Sequence, residues 1–215
     1  MKKIIGTICA CLLLFVGVGP ARADAINPFD ILSAVVATPE EIAAVDVGAA
    51  AALAEQFSAT SEPVAYVNSL KHSELVALKS YVFPGATSVQ SLAASQRQVR
   101  AYPTGCWNPA QTLTAYNLLG LPLYSLTLKS NFCTAAGVLK SVTYQGMYPA
   151  IYAWGWSADG VLNSGTVKTT RSGMAYGQFK FTYNVAGWAL TTDVPCQRNL
   201  VYFDGSWAYD SVCGP

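Results

Sequence analysis

From Tyr102 to the last residue of this 215-residue chain there is no His and no Glu. The last His is His72 and the last Glu is Glu74. That half therefore holds almost nothing that exchanges protons near neutral pH, which argues against most general acid–base chemistry. Charge is sparse throughout, with Asp, Glu, Lys and Arg making up 12% of the residues. No Gly-x-Ser-x-Gly turn presents a nucleophile, and no Asp-x-Asp loop spaces oxygens for a calcium ion. The Lys and Arg residues form no basic run, so nucleic-acid binding is not indicated. Asn-x-Ser/Thr sequons, internal repeats and low-complexity tracts are also missing. What the second half does have is ring surface: ten Tyr, five Trp and four Phe. Such a composition suits a packed β-domain that binds a ligand, or one that uses its rings to fold.

The first 23 residues read as a secretory signal. Lys2 and Lys3 precede an apolar stretch from Ile4 to Gly19, and Ala21-Arg22-Ala23 fits the small-x-small pattern before a cleavage site. The run is short for a bilayer span and ends in Gly19-Pro20, so no stable membrane span is expected. Cleavage would leave ten basic and twelve acidic residues and four of the six cysteines. Those four are Cys106, Cys133, Cys196 and Cys213. An even number in an exported chain reads as disulfides. Wide gaps and no nearby His speak against a metal site, and no cofactor is expected. Of the three pairings open to four cysteines, Cys106–Cys133 with Cys196–Cys213 is favoured, because each closes a local loop.

The rest of the chain divides in character. Residues 24–96 hold eight acids against Lys71 and Lys79, and read as helical. Thr38-Pro39-Glu40-Glu41 is a capping box with Pro at the first helical position. Ile42, Val45, Ala49, Ala52 or Leu53, and Phe57 succeed it at helical spacing. A second helix is predicted over about 62–82, stopped by Phe83-Pro84-Gly85. Residues 86–98 look like a linker or a last helical turn. The acidic segment is expected to pack on itself or to dock on the second half of the chain, with charge aiding orientation.

Beyond it the period changes to two. Tyr124, Leu126 and Leu128 alternate with Ser125, Thr127 and Lys129. Phe179, Phe181, Tyr183 and Val185 alternate with Gln178, Lys180, Thr182 and Asn184. One face in and one face out is the implication. Asp159-Gly160, Ser164-Gly165, Ser172-Gly173 and Asp204-Gly205 read as turns between strands. The expected fold is mainly β: an antiparallel β-sandwich or barrel with a small N-terminal helical region. The expected organisation is a signal peptide at 1–23, a helical region and linker at 24–98, and a disulfide-stabilised β-domain at 99–215.

The candidate binding residues are Tyr148, Tyr152, Trp154 and Trp156, which share one parity and would line one face of a single strand. Such a face could stack flat ligands such as sugar rings. A sandwich core demands the same pattern, and the opposite parity (Ile151, Ala153, Gly155) is not polar, which favours a strand covered on both sides. Asp193 and Asp210 are the carboxylates available for glycoside hydrolysis. His72, in the second helix, reads as a surface residue.

Residues about 116–210 resemble a group of small secreted bacterial β-rich proteins with no assigned activity. The likeness lies in Tyr124 to Leu128, Phe132-Cys133 with Gly137 after it, Tyr152-x-Trp154-x-Trp156, Gly177-Gln178-Phe179 and Asp204-Gly205. That group usually carries Trp before the cysteine, where this chain has Phe132. The resemblance implies export and a β-sandwich, and assigns no catalytic residue. The expected function is a secreted, non-enzymatic binding or interaction module for a glycan or cell-surface component. The alternatives are a small secreted hydrolase using Asp193 or Asp210, and a secreted membrane-active, bacteriocin-like toxin.

Overall fold

A computed structural model describes residues 27–92, 104–185 and 188–212. The signal peptide expected at 1–23 lies outside the described residues, as does Cys213. Five helices come first: α1 (Pro28–Ala34), α2 (Pro39–Ala43), α3 (Val47–Ala59), α4 (Pro63–Ser69) and α5 (His72–Val82). Ten strands succeed them: β1 (Pro84–Leu92), β2 (Gly105–Trp107), β3 (Ala110–Asn117), β4 (Pro122–Ala135), β5 (Val138–Ile151), β6 (Trp156–Lys168), β7 (Ser172–Val185), β8 (Trp188–Asp193), β9 (Cys196–Tyr202) and β10 (Trp207–Asp210).

The helices are shorter and more numerous than periodicity predicts, because local caps interrupt the apolar repeat. The expected capping box is present: Glu41 N donates to Thr38 Oγ1 at 3.2 Å, and Thr38 N donates to Glu41 Oε2 at 2.8 Å. Its helix ends within two turns, since Asp46 accepts from Ala49 N at 2.7 Å and starts α3 afresh. The predicted second helix splits the same way. Glu74 accepts from Lys71 N at 2.8 Å and opens α5 behind α4. Asn27-Pro28 caps α1, which spacing alone does not announce.

Every strand pair is antiparallel, and the strands form two sheets. Neither sheet closes, which settles the sandwich-or-barrel alternative against the barrel. Each sheet is built on a 14-residue strand, β4 in one and β7 in the other. β4 pairs with β5 along one side, and with β3 and then β2 along the other. β7 pairs with β6 along one side, and with β9 and then β8 along the other. β1 and β10 extend the sheets outward from β3 and β9. The stretch read as a linker from residue 86 is therefore a strand as far as Leu92, in register with β3 from Ala86↔Tyr116 to Leu92↔Ala110.

Both predicted alternations hold. Tyr124, Leu126 and Leu128 of β4, with Phe179, Phe181, Tyr183 and Val185 of β7, are all buried. Tyr124 stacks on Phe181 across the interface with ring centroids 3.9 Å apart. The same core runs on into the helices through Leu32, Phe57, Val67, Leu78 and Val82. The helical region thus docks mainly by apolar burial, reinforced where Leu118 N donates to Ser80 O and Asn117 Nδ2 to Tyr81 O.

Farther along, the interior between the sheets turns polar. Gln111, Ser130, Gln197 and Asn199 are fully buried. Gln197 Nε2 donates across the interface to Leu126 O at 2.8 Å, and Asn199 Nδ2 donates to Ser130 Oγ at 2.8 Å. Cys106 and Cys133 are directly paired across β2 and β4 and form the expected disulfide. Cys196 is also disulfide-bonded.

Candidate functional site: an exposed ring platform on one sheet

The four-ring row expected on one strand is divided by a turn. Tyr148 lies on β5, but that strand ends at Ile151, and Tyr152 to Gly155 form the connection to β6 in the other sheet. Tyr148, Tyr152 and Trp154 are 49%, 58% and 56% exposed, whereas Trp156 is 6% exposed. Trp156 is a core residue, packed between Tyr124 and Tyr183 with centroids 5.2 and 5.7 Å away. The pivot is Gly155, whose φ of +82° favours glycine. Any Cβ there would fall 2.5 Å from the Tyr183 ring. Counting parity through such a position fails, because a left-handed residue resets which face the next side chain takes. The expectation of a central strand covered on both sides is likewise corrected: among the described residues β5 pairs with β4 alone, and Tyr148 to Ile151 are exposed.

The outer face of the β1–β5 sheet carries two of the exposed rings, Tyr148 and Tyr152, while Trp154 lies in the connection beyond β5. Since Tyr124, Leu126 and Leu128 point inward, Ser125, Thr127, Lys129 and Asn131 of β4 lie on the opposite side, where Lys129 is exposed, Thr127 and Asn131 are half-buried and Ser125 is covered. In register beside them on β5 stand Tyr148, opposite Thr127, and Ala150, opposite Ser125. Tyr148 reaches back along its own strand, its hydroxyl donating to Gln145 O at 3.1 Å. Its ring passes over Gly146, where a Cβ would come within 3.3 Å of it. Tyr152 is anchored by a 3.0 Å hydrogen bond between its hydroxyl and Ser125 Oγ. Thr112 and Thr127 share a hydrogen bond of 2.8 Å. Beyond Lys129, Asn108 Oδ1 accepts from Asn131 Nδ2 at 2.8 Å and from Gln145 Nε2 at 3.3 Å. From Tyr152, just past the end of β5, back to Gln145 the platform spans roughly 23 Å at the usual strand rise. It presents rings, hydroxyls and amides on a rigid sheet.

The carboxylates of the β-domain are held elsewhere. Asp193 accepts a hydrogen bond from the Tyr124 hydroxyl. Burial pushes the Tyr124 phenol far above its ordinary range, and the Asp193 contact adds to that. Asp210 is clamped by Arg198, whose Nε donates at 2.6 Å, and that contact holds the carboxyl below its usual range. Asp159 is lowered mainly by the Thr182 hydroxyl and Asp204 by Ser206. The register keeps Asp193 and Asp210 apart. Asp193 is opposite Phe181 on β7, while Arg198, the partner of Asp210, is opposite Tyr176 five positions away. Five positions are roughly 17 Å of strand. A glycosidase pair stands roughly 5–10 Å apart. His72 is exposed at the start of α5, 3.2 Å from Glu41. Among the described residues no group of three or more His, Cys, Asp or Glu could hold a metal ion. No helix among them is long and apolar enough to cross a membrane.

Two open antiparallel sheets with an N-terminal helical region define the class of this protein: a mainly β, two-sheet domain. No family model and no curated protein matches the chain. A solved structure of a hypothetical protein from Listeria monocytogenes EGD-e, lmo2686, is similar at 16% identity and a TM-score of 0.29, covering 60% of this chain and 79% of that one. A likeness of that size carries no argument about this chain.

Proposed function

We propose that this protein is an exported, non-enzymatic binding module that engages a glycan on the outer face of its β1–β5 sheet. The observation that carries the reading is the exposure of Tyr148 and Tyr152, about half of each, beside hydroxyls and amides of the same sheet, with the half-exposed Trp154 two residues beyond Tyr152. Apolar ring faces meet the C–H faces of a sugar, while short polar side chains on the same sheet match its hydroxyls. A surface held by strand pairing binds with little ordering cost. Export is supported by the signal-like N-terminus, by the Cys106–Cys133 bridge and by the resemblance to secreted bacterial β-rich proteins.

The test is binding of the purified protein to soluble polysaccharides, monitored by tryptophan fluorescence. Trp154→Ala and Tyr148→Ala should each weaken binding roughly two- to tenfold, the range for losing one ring contact. Trp156→Phe, in the core, should change stability and leave affinity alone. Binding that is indifferent to Trp154 and Tyr148, or absent across a broad glycan panel, refutes the reading.

A further inference from the structure

We infer that the platform selects an anionic polysaccharide, one bearing carboxylate or phosphate groups, and that Lys129 is the residue that reads the charge. The inference rests on the glycan reading above and adds the sign of the ligand. Between Glu74 and Asp159 the chain contains no Asp and no Glu. All five strands of the platform sheet fall inside that interval. No carboxylate side chain therefore belongs to the sheet that carries the rings, and an approaching anion meets no like charge from it.

Lys129 stands at the centre of this surface. It is exposed, on the outward parity of β4, with only Ala110 and Gly146 as cross-strand neighbours. Its ammonium is 4.6 Å from the centroid of the Tyr148 ring. No ion pair to Lys129 occurs among the described residues. The acids in the strands of the other sheet have partners of their own: Asp159 and Asp210 each pair with a cation of that sheet, Lys180 or Arg198, and Asp193 accepts from the Tyr124 hydroxyl. A sugar ring laid against Tyr148 would bring an acidic substituent within reach of the ammonium, while Asn131 and Gln145 continue the polar track beyond it. Attraction by an exposed lysine is modest, so it sets selectivity more than total affinity.

The experiment compares polygalacturonate with its fully methyl-esterified form, which has the same sugar backbone and no charge. A phosphomannan, which keeps the sugar rings and carries phosphate, tests phosphate as the source of the anion, and a single-stranded oligonucleotide tests a different anionic polymer. The expected result is tighter binding of the free acid or the phosphate polymer than of the ester, weakening as salt rises. Lys129→Gln should reduce binding of the charged polymer roughly two- to fivefold. It should reduce ester binding by a smaller factor, so that the ratio of acid to ester affinity falls, and Lys129→Glu should lower that ratio further. Equal binding of acid and ester, with Lys129→Gln silent, overturns the inference while leaving the glycan reading in place. Tighter binding of the oligonucleotide than of any polysaccharide also overturns it. If no polysaccharide binds at all, both proposals fall together.

Discussion

Replacing Gly155 with alanine tests the turn that parts the exposed rings from the buried one. Two costs add at this position. An L-residue held at φ +82° is destabilised by roughly 1–2 kcal/mol through the left-handed backbone. Its Cβ would also lie 2.5 Å from the ring of Tyr183, which is buried and has no room to retreat. Forcing an atom into such a core costs roughly 1–3 kcal/mol more. The expected loss is therefore about 2–5 kcal/mol, read from guanidinium unfolding monitored by circular dichroism. Gly120→Ala is the matched control. Gly120 has φ +77°, yet a Cβ there meets nothing within 4 Å, so it carries the backbone cost alone. Near-UV signals from the Trp156 and Tyr183 rings should change in the Gly155 variant and not in the control. Equal losses in the two variants would refute the packing argument, because backbone strain would then explain both.

Two further outcomes are expected from the bonds that hold the β-domain. Cys106→Ser with Cys133→Ser opens a closure spanning 27 residues and should cost about 3.5 kcal/mol through the freedom of the unfolded chain, measured by chemical denaturation; a loss under about 1 kcal/mol would contradict it. Arg198 lowers the folded-state carboxyl of Asp210 below the ordinary value of 3.8, so its stabilisation is complete above that value and fades as the pH falls through the lowered one. Thermal melts between pH 2 and 6 should therefore show the advantage of the wild type over Asp210→Asn shrinking towards the acid end, and a constant difference would refute the assignment.

Much of the fold is legible in the sequence because it is local. The alternations of β4 and β7 report directly which side chains enter the core, and Thr38 with Glu41 makes the capping box that its spacing predicts. Asp204-Gly205 does turn the chain between β9 and β10. Asp159-Gly160 and Ser164-Gly165 do not, and both lie inside β6. There the register shift between Ala158 and Gly160 marks an irregular strand, so glycine serves a bulge rather than a hairpin. β1 escapes a reading by pattern because Ser, Thr and Gln show no apolar rhythm, and its pairing partner β3 begins many residues later. The platform is half visible. Ring content singles out Tyr148, Tyr152 and Trp154, but parity groups Trp156 with them. The polar field around the rings comes from three strands whose alignment only the sheet reveals. The polar alternates Ser125, Thr127 and Lys129, which in the sequence mark only a solvent face, form its middle.

The buried amides between the sheets act as an alignment key. A purely greasy interface could slide by two residues and still match apolar face to apolar face. Here such a slip would strand Gln197 away from the Leu126 carbonyl and Asn199 away from Ser130, in a fully buried interior where an unpaired amide is costly. Only one stacking of the two sheets keeps those partners together. The strand that carries Leu126 and Ser130 on its inner side carries Thr127 and Lys129 on its outer side. What keys the interior therefore also holds the outer surface in gauge, like a ruler already cut to length.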